Sequence, residues 1–193
     1  SLDSGSGTAI VVAQNGQIID GGDQHRDVIG TSAMLISLNG GVGQFNSIDT
    51  RVGTLAGFVQ NGSFRVIEDD NLTIGTVGPV DINLVGVDGL TSLTNIPAIP
   101  GIFVTNGVGN VEVTTQNGSI TVSTNGSIVN FADGNITLTA NGFGSDVVVN
   151  GLIVGTDGDI RMTAADDIFQ TTNILNTGIG WIIADASGSI YMT

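Results

Sequence analysis

Asn-Gly and Asp-Gly pairs punctuate the second half of the chain at nearly constant intervals: Asn117-Gly118, Asn125-Gly126, Asp133-Gly134, Asn141-Gly142, Asn150-Gly151 and Asp157-Gly158. Their glycines lie 8, 8, 8, 9 and 7 residues apart, and earlier pairs begin at Asn15, Asp20, Asn39, Asn61, Asp88 and Asn106. Both residue types tolerate positive φ and favour turns. Between the pairs lie short runs rich in Val, Ile and Thr, which suit strands. Apolar residues do not recur at helical spacing between caps, and the 30 glycines would make long helices costly. The chain therefore reads as all-β, built from short strands.

The strands alternate. Ile120 and Val122, Ile128 and Phe131, Ile136 and Leu138, and Val147 and Val149 form one apolar face, with Thr121, Ser123, Thr137 and Thr139 on the other. A meander of antiparallel hairpins would use the Asn-Gly turns directly, but its apolar face would need a second layer that the sequence does not supply. A β-solenoid needs none, because each strand stacks on its equivalent in the previous coil and turns its apolar face into a shared interior. The solenoid is the preferred architecture. Outward Thr, Ser and Asn would then form hydrogen-bonded ladders between rungs about 4.8 Å apart.

A longer internal similarity is also present. Residues 8–66 superpose without a gap on residues 134–192 at an offset of 126, pairing Ile10 with Ile136, Asn15-Gly16 with Asn141-Gly142, Val28 with Val154 and Gln44 with Gln170. Identity is low, and chance similarity between low-complexity strands is the alternative. Read as a repeat, it makes 1–193 a single solenoid segment of about one and a half long units. The three prolines, Pro79, Pro97 and Pro100, fall in the least regular stretch, so one irregular insertion is expected near 79–109.

Composition narrows the function. Charged residues are 11%, of which 18 are acidic and four are arginines, giving a net charge of −14 without a lysine. Such a chain cannot neutralise a run of phosphates, so nucleic acid is not a partner. No cysteine is present, which removes disulfides, thiolate metal sites and a cysteine nucleophile. No apolar stretch is long enough for a membrane span, and Ser1 to Gly7 lack the marks of a signal peptide. The absence of the usual start and end of a gene product suggests a longer precursor.

Segments such as Asp69-Asp70-Asn71-Leu72-Thr73-Ile74-Gly75, Asn117-Gly118-Ser119-Ile120-Thr121-Val122, Asp133-Gly134-Asn135-Ile136-Thr137-Leu138-Thr139-Ala140 and Asp157-Gly158-Asp159-Ile160-Arg161-Met162-Thr163-Ala164 resemble the repeats of large bacterial exoproteins of the filamentous-haemagglutinin type. The resemblance covers about 34–78 and 106–193, and 1–33 more loosely. It implies a right-handed parallel β-helix, exported and displayed at the cell surface as an adhesive or structural fibre. The secretion-signal domain of that family is not in this chain.

The candidates for chemistry are weak. Glu68-Asp69-Asp70 with Arg65, and Asp157, Asp159, Asp166 and Asp167 with Arg161, have the residue types of a polysaccharide lyase or hydrolase site. Adjacent strand residues point to opposite faces, however, so these read as turn or rung-end acids. His25 stands alone and reads as a solvated loop residue, which excludes a His-pair zinc site. No cofactor is called for, and calcium is the one metal the acids motivate, as a stabiliser of rungs and not a catalyst. Gly40-Gly41-Val42-Gly43 and Gly107-Val108-Gly109 lack the Lys-Ser/Thr and helix of a phosphate loop and read as turns. The sequons at Asn61, Asn71, Asn117, Asn125 and Asn135 read as turn chemistry, and Trp181 as core or a cap between coils, with a sugar-stacking platform the alternative.

The sequence thus points to a non-enzymatic, extracellular structural or adhesive fibre segment. Its expected partners are further coils of a parent chain, other copies stacked through the solenoid ends, and host or matrix glycans. A carbohydrate-active β-helix enzyme is the alternative. A flat Thr-rich crystal-binding face is a third reading, with Thr121-Val122-Ser123 and Thr137-Leu138-Thr139 its nearest approach.

Overall fold

The computed structural model describes residues 1–23, 25–85 and 89–193, with Leu84 and Val85 described by backbone alone. No helix occurs among them, and the strands form a parallel β-solenoid of about eight turns. Three faces carry the ladder. The first stacks Phe64–Glu68, Val111–Thr115, Ile136–Ala140, Ile160–Ala164 and Ile182–Ala186. The second stacks Leu72–Ile74, Ile120–Val122, Val147–Val149, Ile168–Gln170 and Ile190–Met192. The third stacks Ile99–Asn106, Ser127–Asn130, Ile153–Gly155 and Ile174–Asn176. Earlier in the chain, Val28–Ser37 and Ile48–Asn61 bend round the corners between faces as single long strands.

Alternation puts like residues into columns inside the stack. Phe64, Val111, Ile136 and Ile160 form one fully buried column, and Leu72, Ile120, Val147 and Ile168 another. Gly57 leaves the space that the Phe64 ring occupies, since a Cβ there would overlap it. A coil takes about two dozen residues. Ile10 and Ile136, which the 126-residue offset superposes, stand in different columns: Ile10 opposite Met34, Ile136 between Val111 and Ile160.

The expected irregular insertion is a hairpin arm. Val80–Val85 pairs antiparallel with Thr91–Ile96, and the chain rejoins the stack where Ile102 meets Gly57. At the base of the arm Val77, Ile96 and Ile99 pack on Ile10, Met34, Ala56 and Ile36 in a small second core.

The glycines of the Asn-Gly and Asp-Gly pairs do something other than turn the chain. Of the six evenly spaced pairs only Gly142 has positive φ, 98°. Gly134, Gly158 and Gly180 instead stack corner on corner, each so close to the carbonyl of the glycine one coil earlier that a Cβ would overlap it. The next residue completes the device. The Ser63 hydroxyl accepts the Asn110 N–H, Asn110 Oδ1 that of Asn135, Asn135 Oδ1 that of Asp159, and Asp159 Oδ1 that of Trp181, at 2.8–3.1 Å. A second corner repeats this from Asn71 Oδ1 to Ser119 N, and from Asp146 through Asp167 to Ser189. At the first corner Gly-Asn/Asp/Ser followed by an apolar residue is therefore a coil-stacking motif, in which glycine permits approach, the polar residue binds the next coil's backbone and the apolar residue enters the core; at the second corner the polar bond recurs after Asp70, Ser145 and Asp166 as well as after glycine.

Two inward assignments change. Asn130, not Phe131, takes the interior position after Ile128, and Phe131 is exposed. Trp181, read as core or a cap between coils, is 74% exposed, and its backbone N–H donates to Asp159 Oδ1 in the ladder that starts at Ser63.

Candidate acidic cleft

The outer side of the first face in the early coils, together with the corner that follows it, gathers the acids. Asp27 and Asp49 precede paired residues of adjacent coils, Val28 and Thr50, so they stand one rung apart on the same outward column. The Asp49 N–H donates to Asp27 Oδ2 at 3.1 Å, and the Asp27 N–H to the Asp49 carbonyl at 2.7 Å. The loop before Asp27 brings in Asp20, and carboxylate oxygens of Asp20, Asp27 and Asp49 lie within 4.8 Å of one another. Arg26 closes one side through an Nε–Oδ2 pair with Asp69. The result is an open cleft of about 690 Å³, lined also by Asn46, Ser47 and Gln116.

Crowding of like charge shows in protonation. Partial burial, followed by the neighbouring carboxylates, raises the pKa of Asp49, and partial burial also raises that of Asp27 against the hydrogen bond from Asp49. Asp23 is lowered by the hydrogen bond from the His25 N–H and by the imidazole, whose Nδ1 is 3.2 Å from its carboxylate. His25 is exposed, the loop residue expected. A second acidic group, Asp146, Asp166 and Asp167, lies on the corner before the second face, where Asp146 and Asp167 already bind backbone N–H groups. Chemically, both are sets of hard oxygen donors suited to a divalent cation.

The acids singled out in the sequence are dispersed. Glu68 is fully buried, contrary to its reading as a turn acid, and accepts hydrogen bonds from Thr50 Oγ1 at 2.7 Å, Val52 N at 3.0 Å and Asp69 N at 3.1 Å. Desolvation, against those bonds, raises its pKa to about 7. Asp69 pairs with Arg26 and Asp70 with Arg51 at 3.7 Å, while Arg65 Nη2 lies 3.2 Å from Glu112 on the next coil. Asp159 is a ladder residue, and Asp157 and Arg161 are separate exposed positions. The clustered acids Asp20, Asp27 and Asp49, of which Asp20 and Asp49 line the cleft, escaped the sequence reading because they are brought together only by coil register. The one available signal was the local density of Asp in 20–27.

No helix among the described residues is long and apolar enough to cross a membrane. No protein-family model, curated protein or solved structure matches the chain.

Proposed function

We propose that the chain is a shaft segment of an extracellular bacterial fibre of the filamentous-haemagglutinin type, whose work is mechanical: to be stiff, resistant to proteolysis and displayed at a surface. The observation that carries this reading is the axial continuity of the stack, in which corner side chains from Ser63 to Trp181 and backbone ladders on three faces tie each coil to the next. Pulling along the axis loads many short hydrogen bonds in parallel, and the absence of lysine removes most tryptic sites. Adhesion to glycans, and stacking on further coils or on other copies, belong to this reading. A carbohydrate-active enzyme ranks second: the raised Asp27–Asp49 pair favours it, but the cleft has no aromatic residue to seat a sugar. Negative-stain electron microscopy with and without millimolar calcium tests the proposal. Straight rods or filaments are expected, and filaments that need calcium would assign the acidic corners to assembly. Compact, non-elongating particles that release reducing sugar from polysaccharides would replace the fibre with the enzyme.

A further inference from the structure

The chain has eight Asn-Gly pairs, and the fold makes them chemically unequal. An Asn-Gly bond carries a built-in reaction. The glycine nitrogen, once it has lost its proton to base, attacks Cγ of the preceding side chain; a C–N bond forms, ammonia leaves, and a five-membered succinimide results. Water then opens the ring at either carbonyl, giving aspartate or isoaspartate. Two things in a fold hold this back: a hydrogen bond from the glycine N–H, and backbone packed so closely on the glycine that the ring has no room to close.

Six of the pairs are restrained in these ways. The N–H groups of Gly118, Gly126 and Gly151 donate to the Asn141, Ser123 and Val122 carbonyls at 2.9–3.0 Å. The side-chain oxygens of Asn125 and Asn150 are engaged as well, by the hydroxyls of Ser123 at 2.6 Å and Thr171 at 2.7 Å. Gly40, Gly62 and Gly142 are wedged between coils, where an added Cβ would stand 2.8–2.9 Å from backbone atoms of Gly16, Gly41 and Asn117. Gly16 and Gly107 differ from all six. Nothing lies within 4 Å of an added Cβ at either, and neither N–H donates to an acceptor among the described residues. Asn15 and Asn106 are both exposed.

The two open pairs share one corner. Ala13, Ser37, Val59 and Val104 form a single column of the third face, and Asn15 and Asn106 each follow it by two residues. We propose that Asn106 and Asn15 are sites of spontaneous covalent modification, at which the chain deamidates through a succinimide while its other Asn-Gly pairs stay intact. Each event adds a negative charge to a chain already at −14. Isoaspartate also lengthens the main chain by a methylene, next to the points where Gly16 O accepts the Ser37 hydroxyl at 2.8 Å and Gly107 O accepts the Asp133 N–H at 3.2 Å.

Mass spectrometry of peptic peptides, cut at acid pH where the reaction stops, tests this after incubation of the full chain at mildly alkaline pH. Asn106 and Asn15 should gain about one mass unit first, with isoaspartate among the products. Asn125 and Asn150 should lag about tenfold or more, as expected where a hydrogen bond must break before attack. Gly16→Ala, whose methyl enters open space, should slow Asn15 many-fold and leave Asn106 unchanged. In urea the contrast should vanish, and one that persists there would assign it to local sequence and overturn the structural account. Asn125 or Asn150 reacting as fast as Asn106 in the folded chain overturns the proposal, as do Asn15 and Asn106 that react no faster than the wedged pairs at Asn61 and Asn141.

Discussion

The Thr50 hydroxyl donates a 2.7 Å hydrogen bond to the Glu68 carboxyl, its ladder partner one coil on, in a column that runs from Leu2 through Val28 and ends in alanines. The pair marks a register slip. Between the pairings Thr50–Glu68 and Thr54–Thr73 one coil has residues 51–53 and the next 69–72, so the backbone ladder cannot close at that corner. The Glu68 carboxyl supplies an acceptor to Val52 N and shares the Asp69 N–H with the Thr50 carbonyl. A buried acid is thus the structural seam between the long-stranded early coils and the regular later ones.

That seam makes stability fall as pH rises. The Glu68 pKa goes from 4.5 in the unfolded chain to about 7 in the fold, so the folded state holds the extra proton between these values. Its favourable contribution is full below pH 4.5 and is lost as pH climbs through about 7, a change of about 3 kcal/mol at 1.36 kcal/mol per unit. Asp70 nearby opposes ionisation further, while Asp69 and Asp70 are themselves paired with Arg26 and Arg51. Asp27 and Asp49 are raised too and act in the same direction. Melting temperature should therefore drop between pH 4.5 and 8, and Glu68→Gln should flatten most of the drop while changing little at pH 4.5. A Glu68→Gln profile parallel to the wild type would remove Glu68 as the cause.

The solenoid and its strand content were legible, though not the length of its coil, because a solenoid repeats its inward pattern locally: Ile136 and Leu138 announce their column without knowledge of any other coil. The chemistry of the corners was misread for a related reason. Asn-Gly has the same sequence signature whether glycine supplies positive φ or close approach, and only the neighbouring coil distinguishes Gly142 from Gly158. The cleft was illegible because Asp27 and Asp49 meet through a register that no local pattern encodes. The apolar outward residues of the third face were hidden in plain view: Ile153-Val154 and Ile174-Leu175 are apolar on consecutive positions, which a strand presents to both faces.

Substituting the stacked glycines separates approach from flexibility. Gly158 lacks positive φ, yet an added Cβ would overlap the Gly134 carbonyl, and backbone on backbone cannot yield as a side-chain tip can. Gly158→Ala should cost about 3 kcal/mol or more, at the upper end for overpacking. Gly16, also without positive φ, has nothing within 4 Å of its added Cβ, so Gly16→Ala should be neutral or stabilise by about 0.5 kcal/mol through the unfolded chain. Urea unfolding of the two variants checks the contrast, and equal midpoints would refute the stacking role.

Asn130 carries as many interior hydrogen bonds as Glu68. Fully buried, it donates from Nδ2 to the carbonyls of Gly109 and Gly134, both at 2.9 Å, and accepts the Ala132 N–H on Oδ1 at 3.1 Å. One amide thus closes its own corner and ties it to the coil before. Asn176, two coils on in the same column, repeats two of the three bonds by donating to Gly158 O and accepting Gly178 N, but is only half-buried. Truncation to alanine would strand three backbone groups out of water, at about 1–3 kcal/mol for a lost buried partner. Asn130→Ala should therefore cost about 3 kcal/mol, and Asn130→Asp at neutral pH more, because a carboxylate would face two carbonyls with nothing to donate. Asn176→Ala should cost about 1 kcal/mol, since water can reach the groups it leaves. Urea midpoints at pH 7 rank the three variants; an Asn130→Ala chain as stable as the wild type would mean that the corner closes without its amide.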